Sequence, residues 1–161
     1  MEIRKRFDLR MVVAVTYFVA LAVYLAVGLA PAEATNYEIS AMLSIPAIDL
    51  NTGVTTLSLR KQQLDTPEEI VGSFAKNDSN TLLVGHASTV FSGLYSLKIG
   101  DEIIYDDDTY TVKELRTVTK DEINMHELLS EREEKTLTIM TCAGEDFGNG
   151  DAAERLILIA T

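Results

Sequence analysis

The 161-residue chain has one cysteine, Cys142, and only two histidines, His86 and His126. A single thiol cannot close an internal disulfide, so no covalent staple holds this fold. With no Cys-x-x-Cys pair and no His/Cys cluster, the ligand spacing of a structural zinc site is absent too. Basic residues are also scarce, 14 against 25 acidic ones, for a formal net charge of −11. Residues 1–30 hold 4 of the basic and 2 of the acidic residues, leaving 10 and 23 in the remainder. So negative a field repels nucleic acid, whose binding needs basic patches that release counterions, and this argues against a nucleic-acid partner. Internal repeats and low-complexity tracts are missing, and helical periodicity is sparse.

One long apolar run is present. Met11 to Ala30 (MVVAVTYFVALAVYLAVGLA) carries no charge, and twenty residues of helix span about 30 Å, the thickness of a bilayer core. Arg4, Lys5, Arg6 and Arg10 precede it, whereas Glu33 and Glu38 follow it. The positive-inside rule therefore places residues 1–10 in the cytoplasm and the chain after Pro31 outside the cell membrane. Ala32-Glu33-Ala34 has the small-x-small form of a signal-peptidase site, but signal peptides have apolar cores of about 7–15 residues. The longer run reads as an uncleaved, single-pass anchor at 11–30, followed by a connector at 31–43 and an exported domain at 44–161.

That domain reads as short strands between turns. SIPAIDL, TTLSL, TLLVG, DEIIY, TYTVKELRTV, TLTIMTC and RLILIAT are rich in Val, Ile, Thr, Tyr and Leu. Asp106-Asp107-Asp108 is expected to form a tight hairpin turn rather than a metal site. Thr66-Pro67-Glu68-Glu69 has the form of a capping box with proline at the first helical position, predicting a short helix through about Phe74. Val90–Leu97 and Glu122–Leu129 are expected to add a turn or two each. Many strands and few helices predict an all-β fold: a closed antiparallel barrel of about eight strands with a few short helices.

Alternation along TLTIMTC puts Thr138, Met140 and Cys142 on one face and Leu137, Ile139 and Thr141 on the other. If RLILIAT pairs with it as a hairpin, Cys142 ends the first strand where Arg155 begins the second. The loop between them, from Ala143 to Glu154, carries Gly144, Gly148 and Gly150, so its backbone can approach a ligand. A thiol attacking a carbonyl needs a proton-transfer partner and a stabiliser for the oxyanion. His86 follows the apolar strand TLLVG and lies at a strand end, making it the better partner; His126, in MHELL, is expected at the surface or the core edge. The same residues also allow an inert buried thiol in a membrane-tethered binding barrel, or an interaction module joined through an intermolecular disulfide.

Four segments, in order, carry a resemblance to a known family. Ile45-Pro46-Ala47-Ile48 opens the domain. Gly85-His86 is followed by Phe91, Leu94, Leu97, Gly100 and Asp101 in the pattern F-x-x-L-x-x-L-x-x-G-D. TLTIMTC resembles a TLxTC signature, with Thr138-Ile139 standing where that signature has Thr-Leu, and Arg155-Leu156-Ile157-Leu158 resembles an arginine-bearing strand. Together, behind an N-terminal anchor, they resemble the sortases, membrane-anchored cysteine transpeptidases. The resemblance covers nearly the whole exported domain.

The resemblance implies cleavage of an LPxTG-like sorting signal and transfer of the protein to an amine, such as a peptidoglycan precursor or a pilin lysine. It assigns Cys142 as nucleophile, His86 as acid and base, and Arg155 as the donor to substrate backbone or oxyanion. Thr141 is a secondary, substrate-binding candidate, and Ile139 or Ile157 are candidates to line a groove. No cofactor is implied; calcium occurs in some members, but no spaced acidic motif here supports it. A lid-like insertion before the barrel and an apolar span after Arg155 are both missing, as expected of a compact single-barrel member rather than a pilin polymerase. An ordinary cysteine titrates near pH 8.5 and a histidine near 6.5, so a thiolate–imidazolium pair predicts activity peaking between about those values. Glu145, Asp146, Asp151 and Glu154 would oppose thiolate formation if they point inward.

Overall fold

The computed structural model describes residues 15–19, 37–60, 63–64, 66–146 and 152–161. Met1–Asn36 and Tyr37–Thr161 are separate compact units. In the first unit only 15–19 are described, and they are helical; the rest of the expected 11–30 span lies outside the described residues. Among the described residues no helix is long and apolar enough to cross a membrane.

The second unit is a closed eight-strand barrel plus a two-strand ribbon. Its strands are β1 (Ala41–Ile45), β2 (Leu50–Thr56), β3 (Leu59–Arg60), β4 (Gln63–Leu64), β5 (Val71–Ala75), β6 (Asn80–Val84), β7 (Glu102–Tyr105), β8 (Asp108–Thr119), β9 (Thr136–Asp146) and β10 (Ala152–Ala160). Around the barrel the order is β1-β2-β5-β6-β9-β10-β8-β7, with β3 and β4 forming the ribbon. The sequence had predicted a purely antiparallel barrel, and in this respect the structure differs. β2 pairs β5 in parallel and β6 pairs β9 in parallel, and each parallel pair requires a crossover that returns the chain to the first rim. β1 also begins at Ala41, within the stretch expected to be connector.

The helix expected from Thr66 through Phe74 is absent. Residues 66–70 are bends and irregular backbone, and Val71–Ala75 is a strand. A local capping pattern is worth only about 1 kcal/mol. It loses here to a strand whose backbone groups pair on both sides, with β2 and β6, and whose Val71 is fully buried. Gly72 suits that strand because a side-chain carbon there would come within 2.4 Å of Leu57.

Inward-facing residues build the core: Leu43 and Ile45 from β1, Leu83 from β6, Leu137 and Ile139 from β9, Leu156 and Leu158 from β10. The F-x-x-L-x-x-L spacing is explained by the same core. Phe91, Leu94 and Leu97 are all buried in it, and the 3-10 turn Leu94–Ser96 keeps them on one side. Gly100 takes a φ of +98°, which a residue with a side chain rarely adopts, and Asp101 caps that corner by accepting the Lys98 N–H at 2.8 Å. The 3-10 turn Lys120–Glu122 and the short helix Met125–Leu128 then lead from β8 to β9. Buried Asn80 holds this crossover to β6: its Nδ2 donates to the carbonyls of Leu128 and Ser130, and its Oδ1 accepts from Thr138 Oγ1.

Candidate active site

β9 and β10 form the expected hairpin, and its register pairs Cys142 directly with Arg155. The kind of pair follows from the ladder. The Thr136 N–H donates to the Ser79 carbonyl, so even-numbered residues of β9 turn their backbone groups toward β6. Cys142 and Arg155 are therefore a non-hydrogen-bonded pair, in which Cα atoms approach to about 4.5 Å and side chains are closest. Both side chains are partly exposed. They lie on the outer face of the barrel, since the flanking Ala143 and Leu156 belong to the core. Pairing continues beyond Cys142 to Ala152 and Asp146, through an irregularity between Ala152 and Glu154. The loop is thus shorter than the expected 143–154.

His86 arrives from the other flank. β6 runs parallel to β9 with Val84 opposite Met140, so two further residues bring the chain to the level of Cys142. There β6 leaves the sheet. The Thr89 and Phe91 N–H groups both donate to the His86 carbonyl, folding residues 86–91 into a tight turn. Gly85 permits the turn, because a side-chain carbon there would come within 2.7 Å of Val90 and Phe91. The His86 ring is half-buried, with Nε2 at 3.4 Å from the Thr66 carbonyl oxygen. His126 is exposed on its short helix, at the surface as expected.

Thr141 is buried, and its hydroxyl donates to the Gly85 carbonyl at 2.8 Å. It ties the residue before the cysteine to the residue before the histidine. Ile139 and Ile157 are both buried, at 1% and 2% exposure, so neither presents itself to a groove. Arg155 Nη1 donates to the carbonyls of Ala152 and Glu154 at 2.7 and 2.8 Å, which holds the guanidinium at the start of its strand. Of the four acidic residues expected to oppose a thiolate, only Glu154 has a described side chain. It is a partly buried strand residue opposite Ala143 and Thr119.

One residue at the site escaped the sequence reading. Tyr95 donates its hydroxyl to the Cys142 carbonyl at 2.7 Å. Burial, followed by the charges of Cys142 and Glu154, pushes its phenol above the ordinary 10.0. A signal was available: with Leu94 and Leu97 spoken for by the core, the aromatic between them must face outward. The same rim also bears an open cleft of about 550 Å³, lined by Ile48, Asn51, Glu69, Thr89 and Gly93 among others.

The arrangement has counterparts in known proteins. A sortase-domain family model matches residues 43–161. Among solved structures, a lid mutant of sortase A from Corynebacterium diphtheriae superposes with a TM-score of 0.59 at 20% identity, covering 80% of this chain and 72% of that one. Sortase A from Listeria monocytogenes gives 0.59 at 19% identity, covering 76% and 85%. A Clostridium perfringens sortase D5 transpeptidase gives 0.57 at 23%, covering 78% and 81%. Comparison with curated proteins gave no match. At these identities the structural likeness speaks for the fold, and the family assignment rests on the domain match: the chain belongs to the sortase family.

Proposed function

We propose that the protein is a cysteine transpeptidase in which Cys142, His86 and Arg155 act together on an LPxTG-like sorting signal. The observation that carries this reading is the register. The cysteine is paired directly with the arginine on β10, and the parallel β6 delivers the histidine on its other side. The Cys142 thiolate attacks the carbonyl of the scissile peptide bond. His86 in its imidazolium form protonates the departing amine as the C–N bond breaks, leaving a thioester. An incoming amine then gives a proton to the neutral imidazole and attacks the thioester, which restores the thiolate. Arg155 donates to the oxyanion of both tetrahedral intermediates, a task suited to a planar, permanently charged fork.

Thr141 belongs to this reading as a positioning residue, because its buried hydroxyl joins the backbone beneath the nucleophile to the backbone beneath the base. The amine acceptor is a cell-wall precursor or a protein lysine, and the domain works outside the membrane, behind the apolar run 11–30. A sorting-peptide cleavage and transfer assay on the soluble domain tests the proposal. Cys142→Ala and His86→Ala are each expected to lower turnover by at least about 10³-fold while leaving the melting temperature nearly unchanged. Full transfer by folded Cys142→Ala would sink it, and leave the chain a non-catalytic barrel.

A further inference from the structure

β9 is longer than the strand it pairs with on one side. β6 ends at Val84, opposite Met140, whereas β9 continues to Asp146. The backbone groups of Cys142 point toward the edge that β6 has vacated, by the same alternation that directs the Thr136 N–H to Ser79. An open edge at the nucleophile leaves its peptide plane without the ladder bond that would fix it. The hydroxyl of Tyr95 fills that place, donating to the Cys142 carbonyl at 2.7 Å across 47 residues of sequence.

Tyr95 is held rigidly enough to do this. It sits on the 3-10 turn Leu94–Ser96, between Leu94 and Leu97, which are 1% and 6% exposed in the core. Ser96 Oγ closes the turn by donating to the Gly93 carbonyl at 2.8 Å. The tyrosine itself is 53% exposed. A large aromatic left in solvent while its neighbours pack is in position to be covered by substrate.

We infer that Tyr95 is a positioning residue for the nucleophile: it replaces the missing strand neighbour of Cys142, fixing the peptide that aims the thiol, and its ring forms one wall of the acyl-transfer site. This rests on the proposed role of Cys142, and two measurements keep the inferences separable. The first is steady-state transfer by Tyr95→Phe and Tyr95→Ala. The phenylalanine variant keeps the wall and loses the hydrogen bond, so kcat is expected to fall about five- to tenfold with KM within twofold. The alanine variant loses both, and KM is expected to rise as well. The second is the rate of Cys142 alkylation by iodoacetamide, which reports on the thiol whether or not the domain transfers any peptide. Tyr95→Phe is expected to change that rate at least threefold, with far-UV circular dichroism and melting temperature unchanged. Alkylation and kcat both within a factor of 1.5 of the parent would overturn the inference. An altered alkylation rate in a domain that cleaves no peptide would uphold it and count against the transpeptidase reading instead.

Discussion

The two rims of the barrel are built to different rules. At one rim two strand pairs are joined by tight turns. Asp106, with a left-handed φ of 57°, and Asp107 link β7 to β8 in a two-residue turn, as the acidic triplet predicted. Asn77 Oδ1 accepts from the N–H groups of Ser79 and Asn80 in the β5–β6 turn, and Lys135 pairs with Asp108 at 2.5 Å. At the other rim strands end unevenly, and the connection from β6 to β7 is long. β6 stops short of β9, residues 85–101 pass over the core before β7 begins, and Cys142 pairs with Arg155 where β9 outruns its neighbour. A sealed edge stores stability, while an unfinished edge leaves backbone and side chains available to a substrate. Tyr95 and Thr141 repair the unfinished edge only where the proposed nucleophile needs it fixed.

Substitutions should therefore separate by rim. Among substitutions that keep the proposed nucleophile and base, the largest effect is expected from Arg155→Lys, which keeps the charge but loses the planar fork: turnover should fall about 10²- to 10³-fold with little change in thermal stability. Parent-like turnover in that variant would show that charge alone suffices and remove the directional role given to the guanidinium. Next comes Asn80→Ala, which leaves two carbonyls and a hydroxyl without their partner in a site 1% exposed. About 2–4 kcal/mol of stability should be lost in urea unfolding, while kcat measured well below the new melting temperature stays close to the parent. A kcat loss there as large as for Arg155→Lys would erase the distinction between the rims.

The smallest effect is a pH dependence of the sealed rim. Burial, first among the causes, raises the phenols of Tyr105 and Tyr110 above 10.0. A raised folded-state value means that the neutral phenol is favoured in the fold. The associated stability is present below the ordinary value and is lost as pH rises through the folded one. Stability should be level in this respect up to about pH 10 and decline beyond it, in step with tyrosinate absorbance near 295 nm. Tyr110→Phe should shrink that decline; an unchanged alkaline limb would place the titrating group elsewhere.

Much of this was legible in the residues. Alternation in TLTIMTC and RLILIAT foretold the hairpin and set Cys142 beside Arg155, because the side-chain period of a strand is a local property. A turn or two was expected over Val90–Leu97, and the 3-10 turn Leu94–Ser96 lies there. The Thr66 capping pattern misled, since it describes a preference that holds only where no neighbouring strand claims the backbone. Tyr95 was passed over because a hydrogen bond to a carbonyl 47 positions away leaves no local trace. Ile139 and Ile157 were offered as groove residues because their rank along the strand was visible and the depth of the packing over them was not.

By itself, the sequence determined what short-range physics controls: strand alternation, the turn at Asp106-Asp107, the glycine at Gly100 and the identities of the candidate site residues. Tertiary structure alone decided that β2 pairs with β5 and β6 with β9 in parallel, that Val71–Ala75 is a strand, and that His86 reaches the level of a cysteine 56 residues later. Those outcomes depend on closing a barrel. Backbone groups far apart in the chain must find partners, and local propensities of about 1 kcal/mol yield to that requirement.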